Sequence, residues 1–287
     1  LIDYILTKQN KIKKIVNNNL YFNNEKLDYR IEYYRIKNHI DQFLNKEYYN
    51  RFIVMPGLRG VGKTTIACGS ASVLATQGNR VLLVDLDPQS NAAWGLGADP
   101  TQPGTAELLL GDAPVPIQVT DNLWVLPGGP GLKGHEVMRL DPEALADAIA
   151  KFDHTASIFD CPPGWDHLAR FGLVAAEAAL IVVDAHPFAI QGAARVVETL
   201  SARRQKRRQG AQRWALVMSR VDLRRTLDKD LEAALTAMFP DIDRLLIRQD
   251  VALSLATTER KPVMETAPQS CRGVIDLQEV VGWLQNG

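Results

Sequence analysis

Short apolar stretches alternate with helix-length stretches along most of the chain. Residues 81–84 and 178–183 are continuously apolar, as in strands that are buried on both faces, and residues 64–77 are predicted to form a helix with an apolar face. Six strands are predicted, over residues 51–55, 81–84, 123–126, 156–159, 178–183 and 214–218. This alternation predicts an α/β fold of three layers, with a mostly parallel central sheet and helices on both faces.

The first fifty residues follow a different pattern. Their apolar residues recur at helical spacing, interrupted by asparagines at 17–19 and 23–24; they are Ile12, Ile15, Leu20, Ile31, Ile36, Ile40 and Leu44. All seven Tyr of the chain and nine Asn fall in this stretch, which has no Ala, Gly or Pro. We therefore predict a small polar helical extension over residues 1–50 and one large domain over residues 51–287.

Charge and cysteine content exclude several classes of protein. The 33 Lys and Arg residues balance 33 Asp and Glu residues, so the chain is not a uniformly basic nucleic-acid binder. The zero net charge is the sum of two opposite values, because residues 1–50 carry a net charge of +3 and residues 51–287 carry −3. Cys68, Cys161 and Cys271 form no CxxC pair, which argues against a disulfide scaffold, a zinc site or an iron–sulfur cluster. They favour three small buried residues in a reducing cytosol.

A glycine-rich segment lies between the first predicted strand and the first predicted helix. Residues 57–64 read Gly-Leu-Arg-Gly-Val-Gly-Lys-Thr and fit the pattern GxxxxGK[ST]. Glycines let the backbone N–H groups and the helix N-terminus face phosphates. In this pattern Lys63 bridges the β- and γ-phosphates, and the Thr64 hydroxyl ligates Mg²⁺. The motif predicts binding of ATP or GTP.

Carboxylates follow two further predicted strands. Asp85 and Asp87 close the second strand and Asp160 ends a later one, at the carboxyl edge of the sheet, where open α/β sheets bind ligands. An Asp in this position can hold Mg²⁺ directly or through water. A turn or helix-cap role is the alternative for an isolated Asp. Three such groups behind a phosphate loop favour the metal role.

Together these segments resemble the ParA/MinD family of P-loop ATPases, and specifically its ParA partition branch. The likeness runs from about Gly60 to the C-terminus. It rests on Gly-Val-Gly-Lys-Thr-Thr at 60–65, Val-Leu-Leu-Val-Asp-Leu-Asp-Pro-Gln at 81–89, Asp-Cys-Pro-Pro at 160–163, Ile-Arg at 247–248 and Lys-Pro-Val at 261–263. The resemblance implies a P-loop NTPase fold, a homodimer that forms on ATP binding and binds non-specific DNA, and a ParB-like centromere-binding or cargo adaptor protein that stimulates hydrolysis.

The resemblance also implies roles for individual residues. Lys63 binds phosphate, Asp87 positions or activates the attacking water, and Asp160 supports the metal, so these three are the predicted catalytic residues. Mg²⁺ is assigned to Thr64, Asp85 and Asp160. Contacts to ATP are assigned to Gly57, Arg59, Gly60, Val61, Gly62, Lys63, Thr64 and Thr65.

One position departs from the family pattern. The family's loop has a Lys that reaches across the dimer to the partner's phosphates, where this chain has Leu58 followed by Arg59. Loss of that cation predicts retained ATP binding with weakened or uncoupled hydrolysis. The departure coincides with the change in composition. We therefore hypothesise that residues 1 to about 59 come from an AAA-like ATPase and that the chain is a hybrid; an ordinary helical extension is the alternative.

Arginines recur near the predicted end of a helix and again towards the C-terminus. A patch that tracks phosphates without reading bases is one interpretation, and helix-end compensation on a solvated surface is the other. Replacing Arg248, to which the resemblance points, with Glu is expected to abolish ATP-dependent DNA retention and to leave ATP binding intact. The predicted DNA contacts are Arg203, Arg204, Arg207, Arg208, Arg224 and Arg248.

The last stretch argues against a membrane role. Residues 274–284 contain Asp276 and Glu279 but no Lys or Arg, unlike the basic membrane-binding helix of MinD-like relatives, and their apolar residues are expected to pack on the sheet. We expect a cytoplasmic, nucleoid-associated ATPase for plasmid or chromosome partition. The alternatives are an ATP-binding switch with little turnover and a positioning ATPase for a cargo other than DNA.

Overall fold

The computed structural model describes residues 50–55, 60–164, 166–186, 188–206 and 209–286. Apart from Asn50, the predicted extension lies outside these residues, and so does the junction near residue 59. The strands are β1 (Asn50–Met55), β2 (Val81–Asp85), β3 (Ile117–Thr120), β4 (Leu123–Leu126), β5 (Ala156–Asp160), β6 (Ala178–Val183), β7 (Arg213–Val221) and β8 (Asp243–Arg248). They form one sheet in the order β3-β4-β2-β5-β1-β6-β7-β8, in which only the pair β3–β4 is antiparallel.

Helices connect these strands and cover both faces of the sheet. The α-helices are α1 (Lys63–Thr76), α2 (Asn91–Gly95), α3 (Thr105–Leu109), α4 (Ala144–Ile149), α5 (His167–Ala175), α6 (Ala189–Gln205), α7 (Thr226–Met238), α8 (Val251–Glu259), α9 (Val263–Thr266) and α10 (Arg272–Gln285). Two 3₁₀ helices, Pro130–Lys133 and Val137–Arg139, follow β4.

Two hydrophobic cores lie on opposite faces of the sheet because successive strand residues point to opposite sides. In β2, Leu82 and Val84 belong to the core that includes α5, α6 and α7, whereas Val81 and Leu83 belong to the core that includes α1, α8 and α10. All four side chains are at most 2% exposed, and burying each contributes about 1.5–3 kcal/mol. The predicted three-layer architecture with a mostly parallel sheet is confirmed.

The six predicted strands are all present, with ends that agree to within three residues. Strands β3 and β8 were not predicted, and they form the two edges of the sheet. β3 is half-exposed along most of its length, and β8 begins with the exposed residues Asp243 and Arg244. An edge strand needs no continuous apolar pattern because it is less covered than an inner one.

The C-terminal helix α10 belongs to the core. Val280, Val281 and Leu284 are at most 1% exposed, which confirms that the apolar residues of this stretch pack inward. Contact with α1 is so close that a Cβ atom on Gly69 would lie 2.6 Å from Cδ1 of Leu277. Among the described helices, none combines the length and apolar character needed to cross a membrane.

The three cysteines are free thiols. Cys161 is buried, as predicted, whereas Cys68 and Cys271 are only half-buried, so the expectation of three buried cysteines is wrong for these two. Cys68 lies on a face of α1 that borders an open cavity, and this accounts for its partial exposure.

Candidate active site

The predicted phosphate loop turns into α1 through two glycines. Gly60 and Gly62 have φ angles of +81° and +89°, a left-handed backbone conformation that glycine adopts without strain. Gly62 has no side chain with which to cap α1, so the first N–H groups of the helix are left for a ligand. The predicted contacts from Gly57 and Arg59 lie outside the described residues and stay predictions.

Sheet order places Asp160 beside the phosphate loop. Strand β5 lies between β1 and β2, and its last residue, Asp160, is opposite Asp85. The Thr64 hydroxyl donates a hydrogen bond to Oδ2 of Asp160 at 2.7 Å. Asp160 is fully buried, and its Oδ1 finds no hydrogen-bond donor in the described part of the chain. Leaving a buried carboxylate oxygen unsatisfied is costly, so a cation or its water shell fits this position.

Burial shifts the pKa values of the two central charges in opposite directions. It raises the pKa of Asp160 to about 7, although the Thr64 hydrogen bond and the positive charge of Lys63 oppose the rise. It also lowers the pKa of Lys63, which is 6% exposed, although the negative charge of Asp160 opposes the fall. A phosphate next to Lys63 and a cation next to Asp160 would each favour the charged form of its neighbour.

Asp85 organises the turn that carries Asp87. Its Oδ1 accepts the N–H of Asp87 at 2.8 Å, and its Oδ2 accepts the N–H of Ala92 at 2.9 Å. Burial raises the pKa of Asp85 well above its ordinary range. Asp87 in turn accepts the N–H of Gln89 at 2.9 Å. Asp85 therefore holds the loop on which Asp87 is presented, and its predicted part in a metal shell stays a prediction.

A cavity of about 630 Å³ opens at the carboxyl edge of the sheet. It is lined by the predicted residues Gly60, Gly62, Lys63, Thr64, Thr65 and Asp87. Val61 is 2% exposed and lies behind them, where its carbonyl oxygen accepts a hydrogen bond from Ser219 Oγ at 2.5 Å. The described loop residues other than Val61 thus line one cavity together with Asp87, and Asp160 is joined to them through the Thr64 hydroxyl.

Several residues that line the cavity were not among the predicted site residues. They include Trp94 of α2, Leu253 of α8, and the lysines Lys133 and Lys261. Arg260 holds Trp94 in place, since its Nε donates to the Trp94 carbonyl oxygen at 3.1 Å and its guanidinium lies 5.3 Å from the centre of the Trp94 ring. The segment at 261–263 is indicated by the family resemblance alone, and no local pattern predicts that Leu253 or Lys261 lines the same cavity as the phosphate loop.

The oxygen donors at Thr64 and Asp160 fit Mg²⁺. This ion prefers hard oxygen ligands and is usually held by one or two protein groups together with substrate phosphates and water. Within the described residues, no group of three His, Cys, Asp or Glu side chains lies close enough to hold a metal alone. A hydroxyl hydrogen-bonded to a buried carboxylate beside a phosphate loop is the smaller donor set that Mg²⁺ accepts.

Two of the predicted DNA contacts lie at the amino edge of the sheet, where the parallel strands begin and which is opposite the cavity. Arg203 and Arg204 are in the last turn of α6, next to the start of β7. Arg203 donates to the Gln209 carbonyl oxygen at 2.8 Å, and the Arg204 guanidinium lies 5.8 Å from the centre of the Trp214 ring. The predicted contacts at 207–208 lie outside the described residues.

Arg224 and Arg248, the other two predicted DNA contacts that the structure describes, lie at the carboxyl edge of the sheet, where the cavity also opens. Arg224 follows β7, has a side chain that is 90% exposed, and pairs with Asp222 at 2.8 Å. Arg248 ends β8, and its guanidinium donates to both carboxylate oxygens of Asp276, which is 1% exposed. The Arg248 backbone N–H also donates to Asp276 at 2.7 Å. Arg248 is therefore part of the attachment of α10 to the sheet, whatever else it contacts.

Comparison with known proteins identifies similar chains. The AAA domain family matches residues 50–212. The chain is 34% identical over 215 residues to the chromosome-partitioning ATPase Soj of Thermus thermophilus, covering 74% of this chain and 86% of that protein. It is 32% identical over 221 residues to the chromosome partitioning protein ParA of Caulobacter vibrioides, covering 71% and 82%. The septum site-determining protein MinD of Pyrococcus horikoshii, solved with Mg-ADP, has the same fold, with a TM-score of 0.67 at 24% identity over 82% of this chain and 96% of that one.

Proposed function

The chain belongs to the ParA/MinD family of P-loop ATPases, and on that premise we propose that it hydrolyses ATP to drive DNA partition. In the proposed cycle, ATP binding drives homodimerisation, and the ATP-loaded dimer binds DNA without sequence preference. A ParB-like centromere-binding or cargo adaptor protein then stimulates hydrolysis and releases the dimer. The protein would act in the cytoplasm on the nucleoid.

The hydrogen bond between Thr64 and the buried Asp160 is the observation that supports ATP hydrolysis most directly. It joins the phosphate loop to the end of β5 at 2.7 Å and leaves Oδ1 of Asp160 without a donor among the described residues. Lys63 and Asp87 line the same cavity. A phosphate-binding lysine and a water-positioning carboxylate line one cavity, and a cation-binding carboxylate is hydrogen-bonded to the phosphate loop beside them. Phosphoryl transfer to water requires these three groups.

In the proposed reaction, the oxygen of a water molecule bonds to the γ-phosphorus of ATP. The bond from that phosphorus to the β,γ-bridging oxygen breaks, and ADP, inorganic phosphate and one proton are formed. Lys63 binds the β- and γ-phosphates, and Asp87 orients the water through the carboxylate oxygen that does not accept from Gln89. Mg²⁺, held by Thr64 and Asp160, would neutralise phosphate charge when bound.

The two groups of arginines suggest different parts in DNA binding. Arg224 and Arg248 share the carboxyl edge with the cavity, so we propose that ATP-dependent contacts form there. Arg203 and Arg204 lie at the opposite edge, and we propose that they attract DNA whether or not nucleotide is bound. Replacing Arg204 with Ala should weaken DNA retention equally with ATP and ADP, whereas replacing Arg224 with Ala should weaken only the ATP-dependent part.

The hydrolysis proposal is tested by phosphate release with and without DNA and a ParB-like partner. Wild type should release phosphate slowly alone and faster with both additions. Lys63→Ala and Asp160→Asn should abolish release, and Lys151→Ala, at an exposed position outside the cavity, should leave it unchanged. Release by the Lys63→Ala variant at the wild-type rate would refute the assignment of this cavity.

A second candidate function is an ATP-binding switch with little turnover. Leu58 favours it, because a leucine cannot stabilise the charge that develops on the transferred phosphate. The two functions differ in single-turnover experiments with bound ATP. A switch would retain ATP and bind DNA without cleaving ATP, even with partner present, whereas an ATPase would convert bound ATP to ADP within the lifetime of the complex.

A further inference from the structure

Among the described residues, three lysines line the cavity, and one of them belongs to the phosphate-loop motif. Lys63 is in that motif and is buried, whereas Lys133 and Lys261 reach the cavity from elsewhere in the chain and are exposed. The loop itself has Leu58 and Arg59 before Gly60, so it lacks a lysine at its start. The cavity is thus lined by two lysines, Lys133 and Lys261, that do not belong to the loop motif.

Within the part of the chain that the structure describes, the Lys133 ammonium group makes no hydrogen bond and no ion pair. A lysine ammonium has three donors and remains strongly hydrated unless it meets an anion. At the wall of a cavity that takes phosphates, the anion it would meet is the ligand.

The backbone around Lys133 is fixed to the turn that carries Asp87. Gly128 lies so close to this turn that a Cβ atom would be 2.1 Å from the Asp87 carbonyl oxygen. The Gly129 N–H donates to Ser90 Oγ at 2.7 Å, and Leu132 is fully buried in the core. Lys133 is the last residue of the 3₁₀ helix Pro130–Lys133, directly after that buried leucine. The base of Lys133 is therefore held in a set position relative to Asp87, and only its side chain is free to move.

We propose that Lys133 contacts the terminal phosphate of ATP. Its ammonium group would supply the second positive charge that the family's loop lysine provides and that Leu58 cannot. This inference rests on the proposed function, because it assumes that ATP occupies the cavity with its γ-phosphate near Asp87. Lys261 lines the cavity too, but the residue before it, Arg260, is attached to Trp94 and Ala98 rather than to the Asp87 turn. Charge placed next to the γ-phosphate stabilises ATP over ADP and also stabilises the transition state of hydrolysis.

Nucleotide affinity distinguishes this contact from a general effect on the site. Dissociation constants of ADP and of a non-hydrolysable ATP analogue, both with Mg²⁺, are measured by calorimetry for wild type and Lys133→Met. The analogue should bind about tenfold more weakly to the variant, the size expected for one lost charge-assisted hydrogen bond, and ADP should bind as before. Lys133→Arg should retain most of the affinity. Lys151→Met, an exposed lysine outside the cavity, is the matched control.

Competing sources of the cation are tested in parallel with Arg59→Met and Lys261→Met. The proposal would be overturned if either of these variants lost affinity for the ATP analogue but not for ADP while Lys133→Met kept the wild-type affinity for both. An equal loss of ADP and analogue in Lys133→Met would overturn it as well, because the contact would not involve the γ-phosphate. Should wild type bind neither nucleotide, the proposed function fails and the Lys133 contact fails with it; wild-type binding with an unaffected Lys133→Met variant refutes the Lys133 contact alone.

Discussion

Replacing Arg248 with Glu should destabilise the fold as well as change any contact with DNA. Asp276 is 1% exposed and accepts hydrogen bonds from the Arg248 guanidinium and from its backbone N–H. Removing one partner of a buried ion pair costs about 3–5 kcal/mol. The Arg248 side chain is 30% exposed, so water screens part of the lost interaction, but Glu also brings a second negative charge next to Asp276; we therefore expect a loss of at least about 3 kcal/mol. For a domain of this size that corresponds to a fall in Tm of roughly 6–12 °C.

Thermal and urea unfolding without nucleotide measure this loss. Arg248→Gln with Asp276→Asn removes both charges and leaves a neutral hydrogen-bonding pair, so it should recover part of the stability. Arg224→Glu is the control, because its pair with Asp222 is at the surface and its side chain is 90% exposed. An Arg248→Glu variant that unfolds at the same temperature as wild type would show that the ion pair does not hold α10. DNA retention of Arg248 variants is informative only when measured on protein shown to be folded.

Three further outcomes follow from the geometry. Thr64→Ala, which removes the hydroxyl that donates to Asp160, should weaken ATP binding about tenfold in Mg²⁺ but not in EDTA, as measured by calorimetry. Gly69→Val should destabilise the protein by about 1–3 kcal/mol in urea because its side chain would meet Leu277; unchanged stability would contradict the close packing of α1 and α10. Burial lowers the pKa of His154 below 6.5, so the unfolded state takes up a proton first and stability falls as pH drops below that value. His154→Gln should flatten this dependence between pH 7 and pH 5.

The inner strands could be predicted because a strand buried on both faces must have a continuously apolar sequence. Residues 81–84 and 178–183 face a core on each side, and every position must therefore be apolar. The edge strands β3 and β8 have no such requirement. β8 contains Asp243, Arg244 and Arg248 among its six residues, so its own sequence pattern does not indicate that it pairs with β7.

The phosphate-binding half of the site could be predicted because its residues follow one another in a short motif. Lys63 and Thr64 are adjacent, and the strand-end position of Asp160 indicated its place at the same edge. The other half depends on tertiary packing: Lys133 enters the cavity through the attachment of its loop to the Asp87 turn. The pairing of Arg248 with Asp276 joins residues that are 28 apart, and neither residue alone indicates the other.

The position of β1 in the sheet has a consequence for the order in which the protein can be built during translation. Of the strands that the structure describes, β1 is the first to leave the ribosome, yet it pairs with β5 and β6, which are made much later. Until residues 156–160 have been synthesised, β1 lacks both of its partners in the described sheet, and Thr64 has no Asp160 to pair with. Pairing between such distant segments is slow, and an unpaired apolar strand is prone to aggregate in the meantime. A nascent chain that ends before β5 should therefore depend on chaperones and should not yet hold nucleotide.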